Sequence, residues 1–73
     1  MTDHIRAAKA YRLMLRNHFA VMNTRTLRII IADRRDVLLS RQARGENTAY
    51  MLTQALGIAI ARAQLAKKTG RRA

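Results

Sequence analysis

The sequence contains no proline, and its three glycines all lie in the second half of the chain. Because proline and glycine are the residues that most often interrupt helices, their scarcity favours long helices. Residues 5–16 in particular are mostly strong helix formers. The pattern predicts a mainly α-helical fold, a small domain of three helices over residues 4–20, 33–44 and 48–67. Gly45 and Gly70 follow two of these helices, where a left-handed residue commonly ends a helix.

The length of 73 residues allows one small domain. We assign residues 1–68 to this single helical domain and residues 69–73 to a flexible basic tail. The hydrophobic fraction of 49% is too high for intrinsic disorder. Much of this fraction is alanine, which buries little surface. The sequence therefore predicts a modest core that a partner or a second copy would complete.

The segment 26–32 has two interpretations. It is rich in β-branched residues and alternates imperfectly, which is compatible with a short strand. It also fits a helix, because Leu27, Ile30 and Ile31 fall on one stripe. No turn residue separates Ala32 from the helical pattern that follows, so helix is slightly favoured. In that pattern, Asp33 and Asp36 are expected to lie in the first turn of the middle helix, near the positive end of its dipole.

The last predicted helix is apolar around an arc of about 220°, wider than one core face requires. A second helix or a partner must cover the excess. Gly57 lies within this helix, where it costs about 1 kcal/mol relative to alanine. We interpret it as a place where another backbone passes close by. Arg62 lies inside the apolar arc and is expected to reach solvent with its guanidinium.

With about 100° of rotation per residue, the side chains of the first helix are predicted to form two contrasting faces. The apolar face comprises Ala7, Ala8, Tyr11, Met14, Leu15 and His18. The other side carries four basic residues and no acid, a set that we call the basic stripe: Arg6, Lys9, Arg12 and Arg16. Ordinary surface helices interleave both signs of charge. The stripe therefore fits either a solvated surface or a site that binds a polyanion or an acidic partner.

The overall charge indicates the class of partner. Fifteen basic residues against four acidic ones give a formal net charge of +11, which favours nucleic acid, anionic lipid or an acidic protein surface. A membrane partner is less compatible with a domain this small, because the apolar face of its first helix is needed for folding. The chain shows no signal-peptide pattern at its start and no apolar run long enough for a membrane span. We expect a cytoplasmic protein.

Catalytic and metal chemistry find little support in the sequence. There is no cysteine, which excludes disulfides, thiol catalysis and thiolate metal sites. The two histidines, His4 and His18, form no metal-binding motif. Asp33 and Asp36 lie beside arginines and fit ion-pair roles, and Ser40, the single serine, has no histidine close in sequence. We expect a binding protein and not an enzyme, with no metal, no cofactor and no small-molecule substrate.

One specific hypothesis is a dimeric ribbon-helix-helix DNA-binding repressor. Residues 26–32 would pair with a second chain as an antiparallel ribbon, with Thr26 and Arg28 facing the major groove, where arginine can read guanine. Gly45 would turn the first helix of that fold. Leu52, Ala55 and Leu56 would then contribute to the dimer core. The spacing after Gly45 is similar to that family, whereas Ile30 on the groove side and the long helix in front depart from it.

The second hypothesis comes from the character of the whole chain. Its length, its lack of cysteine, proline and tryptophan, its charge of +11 and its basic stripe together resemble small RNA-polymerase-binding regulators of lytic bacteriophages. The resemblance implies a protein that blocks promoter initiation and lets polymerase read through terminators in the host bacterial cytoplasm. It implies the large polymerase subunits near the RNA exit channel as partners, with nascent RNA or DNA as a further contact. The candidate contact residues are the basic stripe together with Arg28, Arg34 and Arg35.

Overall fold

A computed structural model describes residues 2–70, and every regular element among them is a helix. These elements are α1 (Thr2–Ala20), α2 (Thr24–Ala43) and α3 (Ala49–Thr69). The part of the chain that the structure describes contains no strand. The prediction of a small, mainly α-helical three-helix fold is therefore confirmed.

Helix α2 runs without interruption through the segment 26–32, which is therefore helical, and the strand interpretation is wrong. The side chain of Asn23 caps the helix by accepting a hydrogen bond of 2.8 Å from the backbone N–H of Thr26. No residue between this cap and Gly45 favours a break. The predicted start at residue 33 is therefore also wrong, and Asp33 and Asp36 lie in the middle of α2 and not in its first turn.

Glycines end both α2 and α3, as the sequence predicts. Gly45 has a φ of 76°, in the left-handed region that favours glycine. Its N–H donates to the carbonyl of Gln42, and the N–H of Glu46 donates to that of Arg41, which together form a Schellman motif. Helix α3 extends through Thr69, two residues beyond the prediction, and Gly70 follows it. The rest of the predicted tail, residues 71–73, lies outside the described residues.

The core is small and lies where α1 and α2 meet α3. Its buried members are Leu15, Phe19, Leu27 and Ala61. Partly buried side chains surround them: Tyr11, Met22, Ile30, Ile31, Ile60 and Leu65. The molecule is flat, with extents of 34 × 33 × 18 Å and a radius of gyration of 13.2 Å. A compact domain of this length has a radius of gyration of about 11 Å. A thin core and a flat shape leave large apolar side chains exposed.

The inward face of α1 differs from the predicted one. Leu15 and Phe19 are buried and Tyr11 is half-buried, whereas Met14 is 53% exposed and His18 is also exposed. Phe19 follows Leu15 by one turn, and its larger ring determines which side of α1 turns inward. The core face is consequently rotated away from Met14. This rotation brings one edge of the basic stripe next to the boundary between α1 and α3.

Candidate partner-binding surface

The basic stripe is free of internal ion pairs. All four of its side chains are exposed on α1. Among the described residues, the ion pairs are those of Glu46 with Arg41 (3.3 Å) and with Arg44 (3.5 Å), both distant in sequence from α1. The cations of the stripe are therefore available to an external partner.

Three of the four stripe residues line a groove between α1 and α3, which we call the α1–α3 groove. It has a volume of about 390 Å³ and is lined by Lys9, Arg12, Leu13, Arg16 and Ile60. Leu13 is 56% exposed, so the groove combines an apolar surface with three cations. Arg6 is exposed one turn before Lys9. The arrangement suits a ligand that is both apolar and acidic.

A second groove lies on the other side of α3, between α3 and α2, and we call it the α2–α3 groove. It has a volume of about 290 Å³ and is lined by Arg35, Leu38, Ala55, Ile58, Ala59 and Arg62. Arg62 reaches solvent, as expected. Arg28 is exposed two turns before Arg35 on the same flank of α2. The two grooves have the same character: an apolar surface with guanidinium groups at the edge.

Arg34 differs from the other candidates because its side chain turns into the protein. It is half-buried, and its guanidinium lies 5.8 Å from the centre of the Phe19 ring. Its Nη1 donates a hydrogen bond of 3.4 Å to the backbone carbonyl of Thr53. A Cβ atom at Gly57 would lie 2.6 Å from the Arg34 Cζ. The close neighbour of Gly57 is therefore a side chain and not the backbone that the sequence analysis expected, and Arg34 connects α2 to α1 and α3.

This packing predicts that substitutions at Gly57 and Arg34 have coupled effects on the free energy of unfolding. We expect Gly57→Ala alone to change the free energy of unfolding by less than about 0.5 kcal/mol, because the gain in helix propensity is offset by displacing Arg34 from Phe19. In an Arg34→Ala background, the same change is expected to stabilise the protein by about 1 kcal/mol. Urea denaturation followed by circular dichroism measures the coupling. Equal effects in both backgrounds would show that the guanidinium does not fill the space beside Gly57.

None of the four acidic side chains lines either α3 groove. Glu46 is paired with arginines at the end of α2. Asp33 lines a groove between α1 and α2. Asp36 lines a shallow pocket near the C-terminal end of α2, and Asp3 is in the first turn of α1. Helix α3 itself contains no acidic residue. Both α3 grooves therefore carry positive charge with no carboxylate in their lining, which attracts acidic or polyanionic partners.

From the sequence, a second helix or a partner was expected to cover part of α3, but the side that stays exposed was not identified. We call it the outer α3 face and define it as Leu52, Ala55, Leu56, Ala59 and Ala63. Leu52 is 69% exposed, the three alanines are exposed, and Leu56 is partly exposed. The signal was the 220° apolar arc, because neither α1 nor α2 covers all of it. The face adjoins the α1–α3 groove and shares Ala55 and Ala59 with the α2–α3 groove.

None of the aromatic residues lines the α1–α3 or the α2–α3 groove. Phe19 is buried and Tyr11 is half-buried against the core. Tyr50 packs against the guanidinium of Arg41, 4.4 Å from its ring centre. Within the described chain, neither α3 groove is lined by an aromatic ring. The surface therefore lacks the platforms on which single-stranded nucleic acids stack their bases.

Comparisons with known proteins add no relationship. The chain matches no protein-family model, no curated protein and no solved structure. Over the described residues, none of the three helices has the length and apolar character that crossing a membrane requires.

Proposed function

We propose that this chain binds bacterial RNA polymerase and regulates transcription, inhibiting promoter initiation and suppressing termination near the RNA exit channel. The observation that supports a protein partner is the pair of grooves beside α3, which combine apolar surfaces with cations and contain no carboxylate. Such a surface is complementary to an acidic protein segment with apolar side chains. The large polymerase subunits are the partners that the overall resemblance implies.

The proposed mechanism is occupancy and not catalysis. A bound protein that covers the site of an initiation factor blocks initiation by competition. The same protein beside the exit channel denies space to a terminator hairpin, or holds the paused RNA. Arg28, which is exposed on α2 and lines neither groove, supplies a contact to nucleic acid in this scheme, separate from the protein contacts of the grooves. Neither effect requires a nucleophile, a metal or a cofactor.

The helical conformation of residues 26–32 is incompatible with a ribbon-helix-helix fold. That fold requires residues 26–32 as a strand shared between two chains, and these residues belong to α2. A helix already satisfies its own backbone hydrogen bonds and offers none for pairing with a second chain. Thr26 and Arg28 consequently do not project from a ribbon.

The test is capture of purified bacterial RNA polymerase by the immobilised chain, with and without nuclease treatment. We expect polymerase to be retained after nuclease, because the grooves suit a protein partner. Single-round transcription should then show fewer initiated transcripts and more read-through at a terminator. Loss of polymerase on nuclease treatment would instead identify nucleic acid as the partner, and unchanged transcription by a retained chain would refute the regulatory role.

A further inference from the structure

The outer α3 face is an apolar surface that neither α1 nor α2 covers completely. At about 100° per residue, Leu52, Ala59 and Ala63 lie within about 40° of one another. Leu52 is 69% exposed at one end of this face. The alanines keep the surface low, so that another helix can approach closely, as small residues permit at helix contacts. An exposed apolar face of this kind marks an interaction site.

Positive charge borders this face on both sides. Toward α1, it adjoins the groove that carries Lys9, Arg12 and Arg16. Toward α2, it adjoins the groove that carries Arg35 and Arg62. No carboxylate of α3 interrupts the pattern, since the helix has none. A ligand that fits must therefore be apolar along its centre and acidic along both edges.

We infer that the outer α3 face binds an acidic amphipathic α-helix of the partner protein. The apolar ridge of that helix packs on Leu52 and the alanines, and its flanking carboxylates meet the arginines of the two grooves. This inference rests on the proposed function only in assigning the helix to RNA polymerase. It deepens that proposal by naming the chemistry of the contacted segment.

Two other occupants fit the surface less well. A nucleic acid strand would place charged phosphates against Leu52 and would find no aromatic ring for its bases on either groove. A second copy of this chain would bring the cations bordering both copies together, and each chain carries a formal net charge of +11. Like charges facing each other across an interface oppose association. An acidic helix meets neither obstacle.

The first experiment tests the surface without polymerase. A stapled synthetic helix with leucines on one face and glutamates on the others is titrated into the isotope-labelled full chain, and amide shifts are followed by NMR. We expect the largest shifts along residues 52–63 and beside Arg12 and Arg35. A peptide of the same composition in scrambled order should bind at least tenfold more weakly, a difference of about 1.4 kcal/mol. Equal binding of both peptides, shifts confined elsewhere, or self-association through this face would overturn the inference.

The second experiment uses purified polymerase and a matched pair of variants. Leu52→Glu places a carboxylate on the outer α3 face, whereas Leu39→Glu makes the same change on α2, where Leu39 is 50% exposed. We expect Leu52→Glu to weaken polymerase binding at least tenfold and Leu39→Glu to leave it within twofold, with unchanged circular dichroism for both. Equal binding of both variants would refute the inference while leaving the proposed function intact. Failure of the wild-type chain to bind polymerase, with the peptide still mapping to α3, would refute only the proposed function.

Discussion

Replacing Arg12 and Arg16 together with alanine is expected to lower the affinity for RNA polymerase at least tenfold, a loss of about 1.4 kcal/mol. Both side chains line the α1–α3 groove, where a bound acidic segment would desolvate them. A fully paired, desolvated charge contact contributes about 2 kcal/mol or more, whereas rim charges mainly alter the association rate. Both residues are exposed in the free protein, so stability should change by less than about 0.5 kcal/mol. Titration of labelled chain with polymerase measures the affinity.

The matched control removes the same charge from α2. Arg25 and Arg28 are exposed, and neither lines the α1–α3 groove. Arg25→Ala with Arg28→Ala should therefore retain most of the affinity. A loss of affinity equal to that of the α1 pair would mean that binding depends on net charge alone. A larger loss would indicate that the contact surface lies on α2. The difference between the two variants should narrow at high salt, because exposed charges are screened.

The second large effect concerns folding. Leu27→Ala is expected to abolish the cooperative helical fold, since truncating a buried leucine costs about 2–5 kcal/mol. Leu27 is fully buried at the junction of the helices, and the core contains few other large side chains. A domain of this size rarely has more than about 3–5 kcal/mol of stability from its core. Circular dichroism at 222 nm, recorded during urea denaturation, provides the measurement.

Leu39 supplies the control for that change. It lies on the same helix as Leu27 but is 50% exposed. Leu39→Ala should shift the free energy of unfolding by only about 0.5 kcal/mol, because it removes little buried surface. If the two variants lost equal stability, the core would not be centred on Leu27. The packing of α2 against α1 and α3 would then have to be revised.

Local chemistry made the helical content and the C-terminal ends of α2 and α3 predictable. The lack of proline favours helix along the whole chain. Asn23 caps the start of α2, and Gly45 and Gly70 end helices by adopting a positive φ, which are effects on adjacent residues only. Segment 26–32 was harder, because β-branched residues are compatible with both helix and strand. The absence of a turn residue after Ala32 favoured helix, and the cap by Asn23 is seen in the structure. The aspartates at 33 and 36 were misread as a helix start, because carboxylates also occur within helices.

The candidate surface was also predictable from the sequence only in part. The exposed cations of the basic stripe were predictable, because four basic residues and no acid fall on one side of a helix. The role of Arg34 was not, since nothing local distinguishes it from Arg35. Only the packing of α2 on α1 and α3 places one guanidinium against Phe19 and leaves the other in a groove. Neighbouring residues on a helix point in different directions, and the adjoining helix determines which of them is covered.

The sequence by itself determined that this chain is helical, basic and too rich in alanine for a large core. It also determined that α3 has more apolar surface than one neighbour covers, because the arc follows directly from the order of residues. The tertiary structure decided which part of that arc remains open. Phe19 set the rotation of α1, and Arg34 filled the space beside Gly57. Leu52 is 69% exposed, since burial depends on which helices pack together and not on the hydrophobicity of a single residue.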